Sequence, residues 1–404
     1  MQRRNRRSGV EDRWMRTVRD DTGTTSQVPS SRHGTGLRWM ARYVDDQGRE
    51  HTKSFGRKVD AQQWLNKQVS DQVNGSWTDP KLSGETFGVL AERWFLTKST
   101  RAPKTVAGYR SLLDTLVLPR WESVPLRDVS FEDVQQWVTA LSVDGSVKKE
   151  GVGLSASRVI QAHQVLNQVL KYAVRAKHLP ANPAEGVELP RKPETEQRYL
   201  THELLHRLAV AAGRFRTLVL VLGYCGLRIG EASALRVGDV DVEQRRIRVR
   251  RSVTYVDGQG LVEGPTKNHC SRTVPVPRFL VPLLATEIGD RGGEELLFPS
   301  RRGGWLGVGE VRWVFDPAAT AVGVEGLTPH ELRHTCASLA IAAGANVKVL
   351  QTLLGHKTAT LTLDRYGHLF PDDLDRIADA FDAAAGSTAD WLRTGKGLTS
   401  VPSK

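Results

Sequence analysis

Four prolines fall within the nineteen residues LPANPAEGVELPRKPETEQ (179–197). Proline fixes its own φ and brings no N–H, so neither a helix nor a central strand can run through such a stretch. The chain therefore cannot fold as one continuous layer, and 181–198 reads as a linker. With 404 residues in all, each side of it is long enough to bury a core of its own.

On the N-terminal side, Arg3, Arg4, Arg6 and Arg7 precede the polar run TGTTSQVPSSRHGTG, and residues 1–36 are expected to be a disordered basic tail. GLRWMARYV and REHTKSF alternate around the turn DDQG, which predicts a β-hairpin. A helix should follow from about Val59, with Ala61, Trp64, Leu65 and Val69 on one stripe. Residues 37–80 thus read as a small β-hairpin-plus-helix module. From Thr86 the apolar period becomes helical. Tyr109, Leu112, Leu113 and Leu116 make one stripe that Pro119 is expected to end. Val134, Trp137, Val138 and Leu141 make a second, and Leu166, Val169, Leu170 and Ala173 a third. Residues 86–180 are expected to be all-α.

Beyond Tyr199, residues 199–385 read as a mixed α+β domain, mostly helical. RRIRVRRSVTYV and RTVPVP, with turns at DGQG and near Asn268, predict one small sheet that leaves Lys267 on a connecting loop. Residues 386–404 are small and polar, a tail. The fold class is multidomain and mainly α.

Composition narrows the partner. A formal charge of +12 favours a polyanion, either nucleic acid or an acidic membrane surface. No apolar run is long enough to span a bilayer, and the first residues lack an apolar signal core. Cys225, Cys270 and Cys336 are odd in number and form no CxxC pair, which predicts reduced thiols in a cytoplasmic protein.

The chemistry-bearing residues lie in the C-terminal half. Arg228 stands in GLRIGEASAL, Lys267 in GPTKNHCSR, His330 and Arg333 in TPHELRH, His356 in LLGH and Tyr366 in LDRYGH. Two arginines, a lysine and two histidines suit a site that grips a phosphodiester anion, and a tyrosine can attack it. Taken singly, each has an ordinary structural explanation. Arg228 and Glu231 would make a surface ion pair, Lys267 a solvated loop lysine, His356 a helix-end residue and Tyr366 a half-buried aromatic.

In LTPHELRHTCAS, Thr328 is placed to cap a helix, Pro329 suits its first position, and Glu331 falls three residues after the cap. That puts His330 at the positive end of the helix dipole, which favours the neutral imidazole that can accept a proton. Arg333 lies one turn on. The letters HELRH also match the HExxH zinc helix. Against that reading, Glu331 already has a capping role, Arg333 would set a cation beside the metal, and no glutamate follows Glu331 to serve as a further ligand.

Together, GLRIGEASAL, TKxxxSRTVPVP, HELRHTCAS, LLGH and DRYGH resemble the motifs of the tyrosine recombinases, the lambda integrase, Cre and Xer group. The resemblance covers about Tyr199 to Phe381. The preceding helical unit is similar to that family's core-binding (SAM-like) domain, and the hairpin-plus-helix to its arm-binding module.

The resemblance implies that Arg228 and Arg333 clamp the scissile phosphate. Tyr366 would be the nucleophile, leaving a 3′-phosphotyrosine and a free 5′-hydroxyl. Lys267 would protonate the departing oxygen, His330 act as general base, His356 donate to the phosphate and Glu231 orient the arginines. His334 and His368 read as structural. Arg3, Arg4, Arg6, Arg7, Arg38 and Arg42 are expected to contact DNA. Covalent storage of the phosphodiester makes no demand on a metal or nucleotide cofactor.

The implied partners are double-stranded DNA at core and arm sites, three further copies of the chain on that DNA, an excisionase and a DNA-bending host factor. The implied function is site-specific integration of a phage or other integrative element. A Xer-like resolvase or inversion enzyme, and a catalytically silent DNA-binding regulator on the same fold, are the alternatives.

Overall fold

A computed structural model of the chain describes residues 8–19, 23–45, 48–74, 77–146, 151–193, 197–266, 270–370 and 378–385. The chain divides into two units, residues 1–193 and 194–404.

The first unit opens with strands β1 (Gly9–Asp12), β2 (Met15–Arg19), β3 (Thr25–Pro29), β4 (Trp39–Val44) and β5 (Glu50–Phe55). β1, β4 and β5 form an antiparallel sheet in that order, while among the described residues β2 and β3 pair only with each other. Helix α1 (Lys58–Val73) lays Ala61 and Leu65 on Ala41 and Tyr43 of β4, and Val10, Trp39, Phe55 and Trp64 close this small core. The hairpin and helix stand where the alternation put them. The disordered tail does not: residues 9–29 supply three strands. Val10 is drawn into the core and Asp12 holds Arg38 with two oxygens, so β1 is the sheet's edge strand. Arg3, Arg4, Arg6 and Arg7 lie outside the described residues.

Helices α2 (Pro80–Ser83), α3 (Phe87–Leu96), α4 (Pro103–Leu112), α5 (Leu118–Trp121), α6 (Phe131–Asp144) and α7 (Ala156–Arg175) complete this unit. Their core is built on Trp94, Leu113, Trp121, Val138 and Leu166. Ser130 and Ser155 cap α6 and α7 by accepting from the N–H three residues on. Pro119 does not end its helix as expected. A π turn at Leu113–Val117 widens the spiral, and Pro119 then falls in the first turn of α5, where no intrahelical N–H is required of it. The proline-rich stretch is also less free than a linker. Ala184 is buried, its carbonyl oxygen lies 3.1 Å from His163 Nε2, and the Glu188 backbone exchanges hydrogen bonds with Gln135.

The second unit holds α8 (His202–Ala211), α9 (Arg216–Cys225), α10 (Ile229–Ser233), β6 (Val240–Asp241), β7 (Arg246–Val249), β8 (Arg251–Val256), β9 (Gly260–Pro265) and β10 (Arg272–Pro275). It continues with α11 (Val281–Ile288), α12 (Val308–Ala321), α13 (Glu331–Ala342), α14 (Val347–Leu354) and α15 (Ala359–Tyr366). The α8–α9 pair, β7 and β10 share one large core, and a smaller one gathers Ala337, Ile341, Leu350, Leu354 and Tyr366.

Instead of one sheet there are two: β10–β7–β6, and the separate hairpin β8–β9. The break falls at Arg250. Arg250 and Arg251 both bind the buried Asp239, and two consecutive side chains cannot reach one side of an unbroken strand. Among the described residues no helix is long and apolar enough to cross a membrane. Lys267, Asn268 and the 386–404 tail lie outside the described residues.

Candidate active site

Helix α9 stops at Gly226, whose φ of 64° is left-handed, a conformation that glycine adopts most readily. Space is tight there as well, since a Cβ would come to 3.0 Å from Cys336 Sγ and Leu354 Cδ2, which would have to give way. Two residues later the chain turns into α10, and Arg228 sits just before it. Its N–H donates to Glu231 Oε2 at 3.0 Å and its guanidinium to Oε1 at 2.8 Å.

Glu231 is fully buried, and Arg272 from the start of β10 forks onto it at 3.0 and 2.7 Å. Burial would raise this carboxyl, but the Arg272 fork and the Arg228 bonds win and hold it down at about 2. The ordinary surface ion pair is therefore excluded. Glu231 is an anion at every physiological pH, and its task is to fix two guanidiniums.

Helix α13 brings the next residues. Regular helix begins at Glu331, after tight i→i+3 turns closed by Glu331 N–H on Thr328 O and Arg333 N–H on His330 O. Half of the expected capping box is present, because the Thr328 N–H donates to Glu331 Oε2 at 2.7 Å. The other half is not. The Thr328 hydroxyl donates to the same carboxylate at 2.9 Å, since a charged acceptor outbids the role of capping a backbone N–H.

His330 is exposed at this helix start, its ring edge-on to His334 at 5.2 Å between centroids. Arg333 points inward and is 2% exposed. It donates to Gly226 O and Leu354 O, the carbonyls that end α9 and α14. Burial and the neighbouring Arg228 lower it to about 9, which leaves it cationic at neutral pH.

Tyr366 is the last residue of α15 and is 1% exposed. Its hydroxyl is hydrogen-bonded to His334 Nδ1 at 2.7 Å, and its ring lies parallel to His356, 6.3 Å between centroids. Burial pushes Tyr366 up to about 12 against the pull of Arg333 and Arg365. Burial pushes His334 down to about 4, with Arg365, His330 and Arg333 adding to it. His356 is likewise lowered by burial, then by Arg333 and Arg228, to about 4. His356 Nδ1 is tied to Thr362 Oγ1 at 2.9 Å, which leaves Nε2 to face a ligand.

The fold thus brings Arg228, Glu231, Arg333, His356 and Tyr366 together, with His330 at the rim. Sequence reasoning missed Arg272, whose buried fork on Glu231 spans 41 residues of chain; His334, read as structural, holds the tyrosine hydroxyl. His368 is exposed and meets Tyr199 instead. Lys267 lies outside the described residues. The zinc reading lacks a ligand set: among the described residues no three His, Cys, Asp or Glu side chains are grouped to hold a metal ion, and Glu331 is engaged by Thr328.

Of the N-terminal arginines, Arg38 is spent on Asp12, while Arg42 lies on the β4 face opposite Ala41 and Tyr43. Chemically, the C-terminal arrangement offers fixed guanidiniums and a protonated phenol in a water-poor setting. That combination suits an attack on a phosphodiester better than general hydrolysis.

The model of the phage integrase family matches residues 198–372. Prophage integrase IntR of Escherichia coli is 25% identical over 324 residues, covering 72% of this chain and 78% of that protein. A tyrosine recombinase XerC-like protein of Caldanaerobacter subterraneus is 26% identical over 250 residues, 54% of this chain and 64% of that one. Among solved structures, the Tn1549 transposon integrase in complex with a circular intermediate DNA superposes with a TM-score of 0.63 at 22% identity, covering 73% of this chain and 99% of that one.

Proposed function

The chain belongs to the phage integrase family of tyrosine recombinases, and from that premise we propose how its residues divide the work of a site-specific DNA integrase. The observation that supports the assignment is the buried Tyr366, whose hydroxyl meets His334 Nδ1, whose ring lies parallel to His356 and on which the charge of Arg333 acts, while Arg228 acts in turn on Arg333 and His356.

The Tyr366 oxygen attacks the scissile phosphorus. A phosphotyrosine bond forms to the 3′ side, the bond to the 5′ oxygen breaks, and that oxygen leaves as a hydroxyl after taking a proton, which Lys267 supplies. Arg228 and Arg333 bear on the non-bridging oxygens and stabilise the charge that builds there, and His356 Nε2 donates to the same phosphate. At rest the phenol keeps its proton and is hydrogen-bonded to His334 Nδ1; in the reaction that proton is taken up by His330, one ring further out, the base that the motif implies. Glu231 and Arg272 touch no substrate and keep Arg228 in place.

The partner is DNA. We assign the helices of residues 86–180 to the core site and the β1–β4–β5 sheet with α1 to an arm site. Four copies would exchange strands in the cytoplasm, with an excisionase and a DNA-bending host factor setting direction. That N-terminal sheet favours an integrase over a Xer-like resolvase.

The test is covalent capture. Wild type and Tyr366→Phe are incubated with fragmented host and element DNA, denatured, and the protein-linked fragments sequenced. Adducts that require Tyr366 and converge on one short sequence are expected. Adducts that persist in Tyr366→Phe would remove the assignment. DNA binding by the wild type without any adduct would leave a silent regulator on this fold.

A further inference from the structure

The β2–β3 ribbon has no place in the reading of residues 1–36 as a tail. Its five cross-strand pairs run from Met15 with Pro29 to Arg19 with Thr25. Yet it has almost no core, because Arg16 to Arg19 are all exposed, as are Thr25, Ser26 and Gln27. A two-stranded hairpin without a core is marginal in water. Here its base is braced instead.

Asp12 binds Arg38 at 2.8 and 3.1 Å, and the Arg38 guanidinium lies 5.8 Å from the ring of Trp14 and 5.0 Å from that of Trp39. Ser30 N–H donates to Trp14 O at 2.8 Å, and Trp14 Nε1 donates to Thr35 O at 3.3 Å. The ribbon is held at its root, and among the described residues its strands stay exposed along Arg16–Arg19 and Thr25–Gln27.

We propose that this ribbon is a reading arm that enters a groove of duplex DNA, a refinement that rests on the integrase reading. The major groove admits a two-stranded β-ribbon. One face carries Thr17, Arg19, Thr25 and Gln27, all able to hydrogen-bond to base edges, with arginine suited to guanine and glutamine to adenine. Arg16 on the other face and Arg32 beyond the ribbon are exposed and placed for phosphates.

Charge complementarity selects DNA over a protein or lipid partner. Residues 12–38 carry five arginines and the aspartates Asp12, Asp20 and Asp21; with Arg38 paired to Asp12, four arginines stand against two aspartates, and the exposed face is polar. Arg38, expected from sequence to touch DNA, becomes the residue that positions the arm.

The full-length chain and Arg16→Ala/Arg19→Ala are compared for binding to a random-sequence duplex over a range of salt. The slope of log affinity against log salt should shrink by about 1.8, roughly 0.9 for each phosphate that is no longer neutralised. A smaller decrease of about 0.9, with Arg19 reading a base, also supports the arm. An unchanged slope in a variant that still binds overturns it. Failure of the wild type to bind any duplex would overturn the integrase reading itself.

A benzophenone amino acid in place of Gln27 gives an independent readout. Photo-adducts to duplex support the arm. Adducts only to a second copy of the chain, or to nothing, overturn it.

Discussion

The Tyr366 hydroxyl and His334 Nδ1 lie 2.7 Å apart in a pocket that leaves the tyrosine 1% exposed. At rest the phenol is therefore protonated, partnered and shielded, and the same bond supports the fold. Tyr366→Phe should abolish the DNA adduct while DNA affinity is retained. It should also lower stability by about 1–3 kcal/mol, since a buried imidazole nitrogen loses its partner. Urea denaturation of the two proteins checks this, and equal stability would mean that the bond is idle in the fold.

Acid should act on the same pair. His334 titrates near 4 in the folded protein and near 6.5 when unfolded, so between those values the unfolded chain binds more protons. The stability it contributes is whole above about pH 6.5 and is lost as pH falls to 4, on the order of 3 kcal/mol in total. His334→Gln should flatten that part of the stability–pH curve. A variant curve parallel to that of the wild type would remove His334 as its source.

Glu231 acts in a lower window. Its folded value of about 2 lies below the ordinary 4.5, so its contribution stands above 4.5 and is lost as pH falls towards 2. Glu231→Gln should cost about 3–5 kcal/mol at neutral pH, because buried guanidiniums are left without their anion. Arg272→Lys should also destabilise, since an ammonium cannot reproduce a two-pronged fork. Guanidinium chloride midpoints measure both. A lysine variant as stable as the wild type would count against the fork.

Gly355 should tolerate no side chain. Its φ is 65°, and a Cβ there would lie 2.9 Å from Arg272 Cδ. Gly355→Ala is expected to cost about 1–2 kcal/mol from the backbone alone. It should also weaken adduct formation, by pushing Arg272 off Glu231. Thermal melting and the capture assay together separate the two effects. Lost stability with unimpaired adduct formation would confine Gly355 to the turn.

What the sequence disclosed was whatever local periodicity encodes. The stripe of Leu166, Val169 and Leu170 became the buried face of α7, and the alternation around DDQG became β4 and β5. The β2–β3 ribbon stayed hidden because MRTVR and TSQVP bury no face, and without an apolar face no alternation is written. Pro119 misled because a widened turn just before it alters the rule it normally enforces. In the site, Arg228, Arg333 and Tyr366 could be picked out by residue type and spacing. The Arg272 fork on Glu231 and the His334 bond to Tyr366 could not, because each joins elements whose meeting only the tertiary fold decides.

Arg333 closes the ends of two helices that lie far apart in the chain, reaching the Gly226 carbonyl across 107 residues and the Leu354 carbonyl across 21. Three of its five N–H groups remain for an anion, so an anion held there secures both helix ends, and a helix end that frays releases the guanidinium. Filling the site and fraying α9 and α14 thus oppose each other in one equilibrium. Backbone amides at the last turns of those helices, none of which need touch DNA, would then register through their hydrogen exchange whether a phosphate has arrived.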